Sequence, residues 1–224
     1  MLSAGLVYAI EIQSLSEAVN IAGKQRMYTQ RMLKDYAMVG MKNTFGDPAK
    51  DLKETIAAFD DHLTSLKNVA KSDETKKALE EVSKLWEPIR KELEGDANLE
   101  HAMKLQGDLE KLLQASDKAT KAFAKEAGTT SGEYINIAGR QRMLSQRMAS
   151  LYMLKVWGVK DPEFKSKLDE TISLFKRSHQ KLLDAPVNTE ETKAKLKRVS
   201  RALMFFEMMN RSNSKFVPSL IYKK

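Results

Sequence analysis

The chain has 224 residues, 42% of them hydrophobic, with 10 Gly, 5 Pro and no cysteine. There is enough apolar material for a core, which excludes wholesale disorder, and the missing cysteine excludes disulfides and thiolate metal sites. The net charge is +8, but basic and acidic residues alternate along D51-L-K-E54 and E74-T-K-K-A-L-E-E81, which describes a solvated mixed-charge face and not a nucleic-acid-binding stripe.

The low Gly and Pro content favours helix throughout, and no run of eighteen apolar residues spans a membrane. The first nine residues, M1-L-S-A-G-L-V-Y-A9, resemble the end of a secretory signal peptide with cleavage after Ala9, although the basic start is missing. Export to the periplasm is the expectation, and an ordinary first helical turn is the alternative. A first helix is predicted over about 11–41, ended by Gly46 and followed by Asp47 as N-cap and Pro48 at the first helical position of the second. The second helix runs to about 70. Ser72 and Asp73 cap a third, which ends near Gly95 and is bent by Pro88. A fourth covers about 98–127, where Leu105, Leu109, Leu112, Ala119 and Phe123 keep three-four spacing before the break G128-T-T-S-G132.

The same order then restarts. A fifth helix is expected over about 133–158, followed by D161-P162 in the place of D47-P48. L52-K-E-T-I-A-A-F59 matches L168-D-E-T-I-S-L-F175, and E74-T-K-K-A-L-E-E-V-S83 matches E191-T-K-A-K-L-K-R-V-S200. The duplication thus extends over three helices. The fold class expected is all-α: two tandem up-down bundles, over 10–128 and 132–224, the second lacking most of its fourth helix, which P218-S-L-I-Y-K-K224 barely begins. A short turn between them would set the two modules parallel, side by side.

The strongest internal match is N20-I-A-G-K-Q-R-M-Y-T-Q-R-M32 with N136-I-A-G-R-Q-R-M-L-S-Q-R-M148. On a helical wheel Gly23 shares a flank with Val19, Arg26, Gln30 and Leu33, while Ile21, Tyr28 and Met32 lie opposite. Gly139, Arg142, Gln146 and Ala149 repeat the first face, and Ile137, Leu144 and Met148 the second. The Ile/Tyr/Met side suits the helix's own bundle, leaving the Gly/Arg/Gln side for a second interface. Glycine inside a helix costs about 1 kcal/mol relative to alanine, so its use there indicates close approach. An arginine on a partly apolar face needs an anion, which is either a carboxylate of a neighbouring helix or a ligand. Arg31 and Arg147 fall about 140° further around and suit ion pairs; Lys24 and Arg140 suit solvated charge. His62, His101 and His179 show no paired metal spacing, no Glu-x-x-His occurs, and no nucleophile stands with its base, so neither a metal, a cofactor nor an enzyme is expected.

The motif resembles the first helix of the NarX-like, or PilJ-type, sensory domain: Gly, Arg three residues on, then Met, a small hydroxyl residue at plus six and Arg at plus eight. Gly23, Arg26, Met27, Thr29 and Arg31 fit it, as do Gly139, Arg142, Met143, Ser145 and Arg147. That resemblance implies a four-helix bundle binding nitrate or nitrite between the first arginines of two facing helices. Carried over, Gly23, Arg26, Gly139 and Arg142 would bind the anion, supported by Asn20, Gln30, Asn136 and Gln146. The partner it implies is a membrane-bound chemoreceptor or sensor kinase; the alternative is a helical scaffold that pairs with such a receptor without binding nitrate. The two repeated helices are expected to pack as an internal pseudo-dimer around a single oxyanion. Two guanidiniums 6 Å apart would otherwise repel by roughly 3 kcal/mol.

Overall fold

The computed structural model describes residues 10–128 and 132–211, apart from the side chains at 132, 133 and 135. The candidate export signal at 1–9 and the start of a fourth helix at 218–224 lie outside the described residues. Seven helices and no strand are found among the described residues: α1 (Leu15–Gly40), α2 (Pro48–Val69), α3 (Asp73–Glu94), α4 (Leu99–Ala127), α5 (Gly132–Trp157), α6 (Phe164–Leu183) and α7 (Glu190–Arg211).

Local chemistry sets most of the ends. The Ser14 hydroxyl accepts the Glu17 amide while the Glu17 carboxylate accepts the Gln13 amide, which satisfies two otherwise orphaned donors and starts α1 four residues later than the apolar pattern suggests. Asp47 caps α2 with Pro48 behind it, Ser72 caps α3, and Asn98 caps α4. Gly128, at φ 63°, ends α4 in the left-handed conformation. Pro88 lies inside α3, which continues through it as one helix.

The match of D161-P162 to D47-P48 does not carry through to structure. Five residues separate Asp47 from Leu52 but seven separate Asp161 from Leu168. With two extra residues to accommodate, Asp161 closes a turn, accepting the Glu163 amide and pairing with Lys167, and α6 begins only at Phe164.

Helices α1 to α4 form a closed bundle in which α1 packs on α2 and α4, and α3 on α4. Its centre holds Met32, Tyr36, Phe59, Leu109, Leu112 and Phe123, all essentially without solvent contact. The rings of Phe59 and Trp86 sit 4.3 Å apart, and the Trp86 indole N–H donates to Asp60. Helix α5 packs along α1 in the most extensive helix pairing of the molecule and carries α6, on which α7 rests lightly. Cross-contacts advance in the same direction along both helices: Arg26 with Asn136, then Gln30 with Ser150, then Gly40 against Trp157. Helices α1 and α5 are therefore parallel, as the repeat predicts. A Cβ at Gly40 would fall inside the Trp157 ring, so this glycine is required for the approach. The second core gathers Leu144, Met148, Leu168, Ile172, Phe175 and Leu203, with Leu113 of α4 and Met27 of α1 against it.

Candidate functional site

The α1–α5 seam brings the two motif copies together. The Arg26 guanidinium donates from Nη2 to the side-chain oxygen of Asn136 at 2.9 Å, and Arg142 donates from Nη2 to that of Asn20 at 3.0 Å. Asn20 and Asn136 hold the same place in the repeat, so the two bonds are related by the internal pseudo-twofold. Both asparagines, expected only as supporting residues, are direct partners of the arginines.

The glycines make room for guanidinium. A Cβ at Gly23 would stand 3.3 Å from Arg26 Nη2, and one at Gly139 would stand 3.2 Å from Arg26 Nη2 and 3.8 Å from Arg142 Nη2. Both arginine heads thus converge beside Gly139, where an added methyl would crowd the buried one.

Past this point the symmetry fails. Arg26 is 1% exposed and its Nη1 donates to Asp117 of α4 at 2.5 Å, while Lys121 binds the other oxygen of that carboxylate at 2.8 Å. Burial pushes the Arg26 pKa down, Asp117 works against that, and Arg140 and Arg142 add to the depression. For Asp117, burial alone would raise the pKa; hydrogen bonds from Lys121 and Arg26 bring it below the ordinary carboxylate value. Arg142 is exposed, and among the described residues no carboxylate pairs with it. Of the two partners that an arginine on this face can take, Arg26 therefore has a carboxylate of a neighbouring helix, and Arg142 has none among the described residues. Asp117 sits on α4, and the described part of the second module holds no helix in the corresponding place.

The remaining expected residues are distributed differently. Gln30 lies further along the seam and accepts the Ser150 hydroxyl at 3.1 Å, while the Gln146 carbonyl oxygen is buried without a partner among the described residues. Arg31 faces Asp35 and Asp51 of its own module, and Arg147 pairs with Glu110 of α4, so both serve helix packing. Arg140 is exposed and Lys24 half-buried.

Two groups escape a reading of the sequence. One is Asp117, whose i, i+4 lysine makes it look like any solvated surface acid. The other is the pair Gln25 and Gln141, buried one residue before each arginine. They donate to the main-chain oxygens of Phe59 and Phe175 at 3.1 and 2.8 Å, locking α1 to α2 and α5 to α6 at repeat-related positions. Their identity in both motif copies was the available signal. No group of His, Asp and Glu able to hold a metal ion is found among the described residues, and no described helix is long and apolar enough to cross a membrane.

Set beside known proteins, the chain matches the family described as type IV pili methyl-accepting chemotaxis transducer N-term (PilJ) over residues 11–118 and again over 127–203. Neither a curated protein nor a solved structure matches it significantly.

Proposed function

The chain belongs to the PilJ family of chemotaxis-transducer sensory domains, and from that premise we propose that it binds one nitrate or nitrite at the α1–α5 seam and reports it to a membrane-bound chemoreceptor or sensor kinase. The observation carrying this is Arg142: an exposed guanidinium, without a carboxylate among the described residues, set beside a second guanidinium across the seam. Arg26, Arg142 and Lys121 against Asp117 leave the locality positively charged. Residues 132–211 carry 16 Lys and Arg against 9 Asp and Glu, so the wider field also draws anions. A planar, oxygen-edged anion can take two parallel N–H bonds from an arginine fork, which chloride cannot, so nitrate and nitrite are favoured. The compartment proposed is the periplasm, in keeping with the signal-like residues 1–9. A scaffold role is the second reading, favoured by the pairing of Arg26 Nη1 with Asp117 and Nη2 with Asn136 within the fold.

Titration calorimetry with sodium nitrate against sodium chloride separates the two. One nitrate per chain is expected, with Arg142→Ala weakening binding by about 2–5 kcal/mol and Arg31→Ala leaving it nearly intact. Two anions per chain would show that the two modules bind separately and not at one seam, and no response to nitrate in the wild type would remove the oxyanion reading.

A further inference from the structure

We propose that Asp117 is a tethered counter-ion that the oxyanion displaces from Arg26, so that occupancy of the seam is reported as a change in how α4 is held. This deepens the oxyanion reading above and rests on it.

The motif supplies both arginines equally, but among the described residues only Arg26 is neutralised from within, by a carboxylate 91 residues away. A carboxylate presents two equivalent oxygens in a plane, the same edge that nitrate and nitrite present, so Asp117 occupies Arg26 as the ligand would. The carboxylate is also placed to leave. Its side chain is 19% exposed and its second oxygen is already on Lys121, itself 63% exposed, so Asp117 can turn towards solvent while keeping a partner. Arg26 cannot follow. It is buried, held by Asn136, and its buried Nε has no partner among the described residues, so the fold itself leaves one donor of this guanidinium unanswered. An anion seated between the two arginines would then answer both charges, whereas Asp117 answers only one.

The consequence falls on α4. This helix packs along α1 and α3 and precedes α5 in the chain. Among the described residues, its Arg26–Asp117 pair is one of two ion pairs that tie its charged flank to the motif helices, the other being Glu110 with Arg147. Exchanging that tie for a free anion converts a small-ligand event into a change at a helix-helix interface, which is a two-state element of the kind that switching requires. Because Asp117 and the anion compete for one guanidinium, the wild type binds more weakly than a chain without the competing charge.

The test is nitrate titration of the full chain as wild type, Asp117→Asn and Asp117→Glu, with amide hydrogen exchange across α4. Asparagine keeps the size and removes the charge, so Asp117→Asn is expected to bind nitrate roughly tenfold or more tightly, within the usual range of coupling between sites. Asp117→Glu, which keeps the charge, should stay near the wild type. In the wild type, nitrate should speed exchange in α4 around Leu113–Lys121; in Asp117→Asn, exchange there should already be fast and insensitive to nitrate. A wild type that binds nitrate with no change in α4, or an Asp117→Asn chain that binds no more tightly, overturns the counter-ion role and leaves the anion site standing. If the wild type does not bind nitrate, both proposals fall. Wild-type exchange decides the matter even if a variant misfolds.

Discussion

The two halves of this molecule begin from nearly the same motif and end in different physical states. In α1–α4 the bundle is closed. Leu52, Ile56 and Leu93 are buried, as are Ala102 and Leu105 of α4. In α5–α7 the related region is a cavity of about 740 Å³, lined by Leu151, Leu168 and Ile172 with Phe164 and Asn210 at its edges. The charges differ in parallel: residues 10–128 carry a net −2 and residues 132–211 a net +7. A repeated motif therefore specifies a helix and its seam, but Asp117 of α4 makes Arg26 a buried ion pair, while among the described residues Arg142 has no such carboxylate.

The sharpest way to break this comparison is at Phe59 and Phe175, which occupy the same place in the repeat and whose carbonyls both accept a buried glutamine. Phe59→Ala should cost about 3–5 kcal/mol, because the closed bundle cannot collapse around the cavity. Phe175→Ala, beside a region already open, should cost roughly half as much. Urea unfolding followed by circular dichroism measures both, and equal losses would show the second core to be as well sealed as the first.

A smaller and pH-dependent difference lies at Asp35, which is fully buried where the second module has Leu151. Burial pushes its pKa up to about 6; Lys34 and Arg31 oppose this and Asp51 adds to it. A carboxyl whose folded pKa is raised holds its proton more tightly when folded. Its stabilising effect is complete below about pH 4 and is lost as pH rises through 6, a change of roughly 2–3 kcal/mol. His62 works the other way. Burial, helped by Lys24, pushes its pKa down to about 4, so stability is complete above about 6.5 and is lost as pH falls. The two trends offset between pH 4 and 6.5. Asp35→Leu, which writes the second module's residue into the first, should be more stable than wild type at pH 7.5 and should lose stability on acidification to pH 4.5. Thermal melts at the two pH values check this, and a variant with the wild-type profile would show that Asp35 does not titrate in this range.

The smallest effect is expected on α7, where Met204 and Met208 are exposed. Glu87 and Lys91 hold the corresponding places on α3. Met204→Glu with Met208→Lys should change stability by no more than about 0.5 kcal/mol. A loss well beyond that in urea unfolding would show this face of α7 to be covered in solution.

The sequence alone determined the helices, their order and their caps, since Ser14, Asp47, Ser72, Asn98 and Gly128 act on the few residues beside them. The 116-residue repeat also determined that two like helices exist, and the glycine on each one's second face that they should meet closely. Even so, the two residues inserted after Asp161 moved the start of α6, because a cap works only at one spacing from its helix. What only the tertiary structure decided is which cation is answered and by what. Asp117 reaches Arg26 across 91 residues, Asn20 and Asn136 exchange partners across the seam, and Asp35 is buried next to Lys34. None of these has a local signature, because an acid four residues from a lysine reads as solvated wherever it falls. The energy of a charge is set by its distance to other charges and to water, and those distances exist only once the helices have packed.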